Sequence, residues 1–162
     1  FIKISEQSGY DFRLLKEVQH INADQMERFV RKITDTLWVL KGKTIGVLGL
    51  AFKQNTDDVR SSPAIDLCQR LLKEGATLRV HDPKGMDKAR AMLPDVTYVD
   101  DMNAVAESCD ALVVATEWDE FKQLDLERAR KALTHPIMFD GRNLFDASEM
   151  EKLGWIYKSV GR

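Results

Sequence analysis

The 162-residue sequence predicts a doubly wound, mostly parallel α/β domain preceded by a long helix or helix pair. From Thr44 onward, short apolar runs alternate with helix-period segments, as in a sheet whose crossovers are helices. Runs such as Ala111-Leu112-Val113-Val114-Ala115 are apolar throughout, which strands show when helices cover both faces of the sheet. Glycines and charged residues follow several of these runs at their carboxyl ends, where an open α/β sheet binds its ligands.

Residues from about Asp11 to Leu40 read as helix, because Leu14, Leu15, Val18, Ile21, Met26, Phe29, Val30, Ile33 and Leu37 recur at three- and four-residue steps. Asn22-Ala23-Asp24-Gln25 resembles a capping box, so the segment reads either as one helix or as two. A continuous helix of about 29 residues would be roughly 43 Å long, which suggests a bridge or a dimer seam. The other reading is an amphipathic helix lying on its own domain. If the helix forms a seam, the stripe Met26, Phe29, Val30, Ile33 and Leu37 is expected to pack on a symmetry mate as a homodimer.

Lys41-Gly42-Lys43 reads as a turn and a domain boundary, dividing a helical region (1–40) from a ligand-binding domain (41–162). Strands are expected at Thr44–Leu50, Thr77–Asp82, Val96–Val99, Ala111–Thr116, Ile137–Asp140 and Trp155–Ser159. Helices are expected at Pro63–Lys73, Lys84–Leu93, Met102–Glu107, Leu126–Leu133 and Ala147–Lys152. Ser62 and Pro63 form an N-cap and N1 pair, and Gly75 marks a helix stop.

Apolar residues make up 44% and charged residues 31%, enough to bury a core. A net charge of −2 with scattered Lys and Arg gives no nucleic-acid footprint. No apolar run approaches the roughly 20 residues that span a bilayer, so no membrane partner is expected. Two cysteines, Cys68 and Cys109, make neither a disulfide framework nor a metal spacing, and a reducing cytoplasm is expected. The chain begins Phe1-Ile2-Lys3-Ile4 without methionine, which suggests a processed product or a fragment.

The first βα loop, Gly46-Val47-Leu48-Gly49-Leu50-Ala51-Phe52-Lys53, carries the clearest functional signal. A dinucleotide loop needs G-x-G-x-x-G so that backbone can close on a pyrophosphate. Here the spacing is G-x-x-G, with Phe52-Lys53 where small residues would be wanted. The sheet is therefore Rossmann-like without the dinucleotide loop, and Lys53 is expected to do part of what backbone N–H groups do elsewhere. Parallel topology brings Lys53 and Arg142 to one edge, and two fixed cations suit a phosphate-bearing ligand. Against this, Lys53 reads as a solvated loop lysine and Arg142 as the partner of a nearby aspartate. Phe52 either stacks on a ring of the ligand or anchors the loop in the core. Asp57 and Asp58 either bind a metal or cap a turn and hold Arg60. Asp82 sits where a dinucleotide fold places its ribose-binding carboxylate, but the broken glycine signature argues against that role. Cys68 falls on a buried helix face and Cys109 precedes an apolar strand, so neither reads as a nucleophile. No catalytic residue and no metal site are expected in this chain.

Several spaced motifs together resemble the UDP-glucose 6-dehydrogenase branch of the nucleotide-sugar dehydrogenases. They are Leu50-Ala51-Phe52-Lys53 with Thr56-Asp57-Asp58, Arg60 and Ser62-Pro63-Ala64; Ala115-Thr116-Glu117-Trp118-Asp119-Glu120-Phe121; Asp140-Gly141-Arg142-Asn143; and Gly154-Trp155-Ile156-Tyr157 with Gly161-Arg162. The resemblance covers essentially the whole chain. Residues 1–40 look like the end of the family's central helical region and 41–162 like its C-terminal UDP-binding domain. It implies that Phe52 and Lys53 contact a UDP-sugar, that Arg142 binds the substrate from across the crevice, and that Arg60 reaches toward NAD. The family oxidises UDP-glucose to UDP-glucuronate in two NAD-dependent steps through a cysteine nucleophile. That cysteine sits in a G-G-S-C-F-P-K-D stretch, which this sequence does not contain. The polypeptide alone is therefore expected to be inactive. The alternatives are a portion of a UDP-N-acetylmannosamine or GDP-mannose dehydrogenase, or a free-standing nucleotide-sugar-binding module.

Overall fold

The computed structural model describes residues 1–161. Arg162, the last residue of the closing motif, lies outside the described residues. Six strands form one all-parallel sheet: β1 (Thr44–Leu48), β2 (Thr77–His81), β3 (Thr97–Tyr98), β4 (Ala111–Val114), β5 (Ile137–Asp140) and β6 (Ile156–Ser159). Their order is β3-β2-β1-β4-β5-β6, the doubly wound arrangement whose direction reverses between β1 and β4. The central strands β1, β4 and β5 are almost wholly buried because helices cover both faces. Their even and odd positions feed two separate cores, one lined by Val47, Val113 and Phe139, the other by Leu48, Leu112 and Met138.

The helices are α1 (Ile2–Gln7), α2 (Arg13–Leu37), α3 (Pro63–Lys73), α4 (Met86–Ala89), α5 (Leu126–Ala132) and α6 (Ala147–Lys152). Helix α2 is one continuous run of 25 residues, about 37 Å long, so Asn22–Gln25 does not break it. In its second half Phe29 and Ile33 are buried in the domain core, with Met26, Val30 and Leu37 packed beside them. The stripe expected against a symmetry mate thus lies on its own domain. Burying Phe29 and Ile33 stabilises this docking by about 1.5–3 kcal/mol each. The first half of the helix instead exposes Leu14, Val18 and Ile21.

Helix α3 starts where expected: Ser62 Oγ accepts from Ala64 N (3.2 Å) and Pro63 takes the first helical position. Other bounds move because side chains capture the ends of the elements. The expected helix Lys84–Leu93 shortens to α4, since the amides of Lys84 and Gly85 turn onto the Asp82 carboxylate. Strand β1 stops at Leu48 because Gly49, at φ +97°, turns the chain away from the sheet. Met102–Ala104 is a short 3-10 turn, shorter than the expected helix, and a second one at Asp119–Gln123 was not expected.

Candidate functional site

The loops after β1, β4 and β5 meet helix α2 around a cleft of about 830 Å³. Phe52, Lys53, Glu117 and Arg142 line it from the sheet edge, and Phe29 and Gln19 from α2. Three of the four residues expected at the ligand thus share one cleft. Arg60 does not line it; its side chain is 87% exposed and paired with Asp58 at 2.8 Å.

Each loop is held by a buried acid. Asp82, at the end of β2, is completely buried and accepts five hydrogen bonds. Its Oδ2 accepts from Leu50 N (2.7 Å), Ala51 N (2.9 Å) and Trp118 Nε1 (3.1 Å). Its Oδ1 accepts from Lys84 N (2.9 Å) and Gly85 N (2.6 Å). No lone pair is left for a ribose, so the ribose-binding reading of Asp82 is corrected: it is an internal clamp. Asp140, also fully buried, accepts from the amides of Arg142 (2.9 Å), Leu144 (2.7 Å) and Phe145 (3.1 Å) and from Tyr157 Oη (2.7 Å). Asn143 at φ +53° turns the chain so that these amides converge. Two further hydroxyls pin the β1 loop: Thr116 Oγ1 donates to Ala51 O (2.8 Å) and Ser62 Oγ to Leu50 O (2.7 Å).

On this frame Phe52 is 47% exposed, so it is not a core anchor; its amide closes the loop on Asp58 O at 2.8 Å. Lys53 is exposed, and its ammonium makes no ion pair among the described residues. Arg142 is partly engaged. Its Nε donates to Ala115 O (3.1 Å) and lies 2.9 Å from Glu117 Oε2, which has no hydrogen bond of its own and is held by charge. The partner is thus a glutamate 25 positions upstream and not a nearby aspartate, and the Nη groups make no hydrogen bond among the described residues.

The remaining candidates are structural. The Arg60 guanidinium holds the Asp58 carboxyl well below the usual carboxylate range, and the Lys88 ammonium (2.7 Å) lowers that of Asp57. Both carboxylates are therefore engaged by cations, and no metal-binding cluster occurs among the described residues. Burial pushes the Cys68 thiol up to about 12 and the Cys109 thiol to about 11, so neither is a thiolate near neutral pH.

The sequence reading missed Glu117 as the partner of Arg142, the two clamping aspartates and the contribution of α2. A signal for the clamps was available. In Asp82-Pro83-Lys84-Gly85 and Asp140-Gly141-Arg142-Asn143, an aspartate at a strand end precedes turn residues, the pattern in which Asp bonds amides two or three residues on.

The model of the UDP-glucose/GDP-mannose dehydrogenase family's UDP binding domain matches residues 46–147. The chain belongs to this family. Among relatives of the family, it is 41% identical over 162 residues to UDP-glucose 6-dehydrogenase TuaD of Bacillus subtilis, covering 99% of this chain and 35% of that protein. It is 37% identical to the UDP-glucose 6-dehydrogenase of Pseudomonas aeruginosa, covering 99% and 37%. The solved UDP-glucose dehydrogenase of Pyrobaculum islandicum superposes with a TM-score of 0.84 at 37% identity, covering 99% of this chain and 35% of that one. The UDP-D-ManNAc dehydrogenase of Pyrococcus horikoshii gives 0.76 at 27% identity, covering 98% and 36%. The chain thus spans about a third of the length of these family members.

The β1–α3 crossover of this chain does not form a dinucleotide cradle of its own. The β2 acid is saturated, Gly46 lies inside β1 so that Gly49 is the one glycine of the crossover, and Ser62 and Pro63 cap the helix N-terminus.

Proposed function

We propose that the chain forms the UDP-binding part of the substrate site in an NAD-dependent UDP-glucose 6-dehydrogenase, a cytoplasmic homodimer acting on UDP-glucose. The observation that carries this reading is the shared cleft: the exposed Phe52 ring, the Lys53 ammonium and the Arg142 side chain all line it, and among the described residues Lys53 makes no ion pair and the Arg142 Nη groups make no hydrogen bond. In this reading Lys53 meets the diphosphate as a compact point charge. Arg142, held through Nε, offers its Nη fork from the opposite loop, where a bidentate contact to phosphate or hydroxyl oxygens can form. Phe52 supplies a flat apolar face for a ring of the ligand. Arg60 is the residue of this chain assigned to reach toward NAD, on the outer side of the same loop. NAD would take up hydride in both oxidation steps; no residue of this chain is assigned to that chemistry, and the chain alone is expected to be inactive. The exposed Leu14, Val18 and Ile21 of α2 support the homodimer.

The test is an NMR titration of the chain with UDP, GDP and NAD in parallel. UDP-selective shifts at Phe52, Lys53 and Arg142 are expected. Equal response to GDP would refute the uridine preference. Binding of NAD alone would make this a cofactor domain and sink the proposal.

A further inference from the structure

The Asp82 carboxylate accepts five hydrogen bonds in the buried interior, and the proposed function gives it no work. It is fully buried, makes no ion pair among the described residues, and is compensated by five N–H donors alone. Burying a carboxylate in this way is costly unless every oxygen is satisfied, so the donors and the acid hold one another in place. The donors come from three separate segments. Leu50 and Ala51 precede Phe52 and Lys53, Lys84 and Gly85 begin the β2 turn, and Trp118 follows Glu117 in the β4 loop. A side chain at Gly85 would crowd Oδ1, with its Cβ 3.0 Å away. By contrast, Asp140 gathers three amides of its own loop and one hydroxyl from β6.

We infer that Asp82 is a positioning residue of the cleft: in place of holding a ribose, its carboxylate locks the loop that carries Phe52 and Lys53 to the loop that carries Glu117, the partner of Arg142. The inference rests on the proposed UDP site. Lys53 has no partner of its own among the described residues, so its place is set by the backbone just before it, and that backbone hangs on Oδ2. Trp118 Nε1 meets the same oxygen, which ties the two sides of the cleft to a single atom.

The Asp82→Asn variant tests this sharply. An amide of the same shape must aim its NH₂ at one of the two donor sets, so it releases either Leu50, Ala51 and Trp118 or Lys84 and Gly85. UDP affinity of the folded variant is expected to fall about tenfold or more. In a double-mutant cycle, Lys53→Ala should then cost less than about twofold further, because Lys53 is already displaced. A carboxylate that only stabilised the fold would leave the UDP affinity of the folded variant, and the full cost of Lys53→Ala in it, unchanged, which would overturn the inference. Should Asp82→Asn fail to fold, Trp118→Phe removes a single donor while keeping an aromatic ring. A drop in UDP affinity with faster amide exchange at Leu50 and Ala51 is expected, and unchanged values would overturn the inference. If the unmodified chain binds no UDP, the proposed function fails, and amide exchange still decides the clamp. Accelerated exchange at Leu50 and Ala51 in either variant supports it, and unchanged protection refutes it.

Discussion

Replacing Gly49 by alanine should dislodge the β1 loop. Gly49 sits at φ +97°, and an added Cβ would lie 2.5 Å from Thr116 Cβ, 2.7 Å from Thr116 N and 2.8 Å from Thr116 Oγ1. The unfavourable backbone conformation costs about 1–2 kcal/mol for an L-residue. The overlap adds about 1–3 kcal/mol, because Thr116 is fully buried and tied to Ala51 O, so it moves only at a cost. The total of about 2–5 kcal/mol is a large share of the 5–15 kcal/mol by which an ordinary domain is stable. Relief has a functional cost too. Thr116 can retreat only by stretching its 2.8 Å bond to Ala51 O, one residue before Phe52. Urea unfolding followed by circular dichroism measures the loss, with an unchanged slope showing that the unfolded state is unaltered. A loss below about 1 kcal/mol with UDP binding intact would refute the reasoning, since it would mean that the loop yields without strain.

Other substitutions separate binding from folding. Lys53→Ala removes an exposed ammonium with no ion pair among the described residues, so stability should be unchanged while UDP binding weakens by about 1.5–3 kcal/mol; calorimetric titration beside a thermal melt checks both. Burial raises the pKa of Asp110, but the hydrogen bonds from Lys43 Nζ (2.9 Å) and Thr44 N (2.9 Å) outweigh it and leave the group lowered. A carboxylate depressed in the folded state stabilises fully above its unfolded value of 3.8 and loses that contribution as pH falls through the folded value. The stability advantage over Asp110→Asn should therefore be constant near neutrality and shrink below about pH 4, as acid-titrated unfolding would show. Sedimentation of the chain should reveal self-association through the exposed first half of α2, and Leu14→Lys with Val18→Lys should abolish it without loss of fold; a monomer at high concentration would count against that seam.

Much of this architecture was legible along the chain. The apolar runs and helix periods located all six strands, and helices α3 and α6 have the expected bounds, because side-chain periodicity and the Ser62-Pro63 start are local properties. The edge bearing Phe52, Lys53 and Arg142 was legible too, since parallel strands must all end on the same side. Resemblance to a family added the ligand, and the match over residues 46–147 bears that out at the level of the UDP binding domain.

The sequence by itself determined the element types, the class of sheet and which residues sit at its carboxyl edge. Only the tertiary structure decided which neighbours meet there. The order β3-β2-β1-β4-β5-β6 makes β1 and β4 adjacent, and that adjacency brings Thr116 onto the β1 loop and Trp118 onto Asp82, the acid that holds that loop. It turned Asp82 from a candidate ligand contact into a clamp, paired Arg142 with Glu117, and laid the Phe29–Ile33 stripe of α2 on its own domain. Periodicity reports which face of an element is apolar and how it is bounded. It carries no information about which distant segment will cover that face or satisfy a buried acid, because those contacts are settled by packing and hydrogen-bond geometry among segments brought together only on folding.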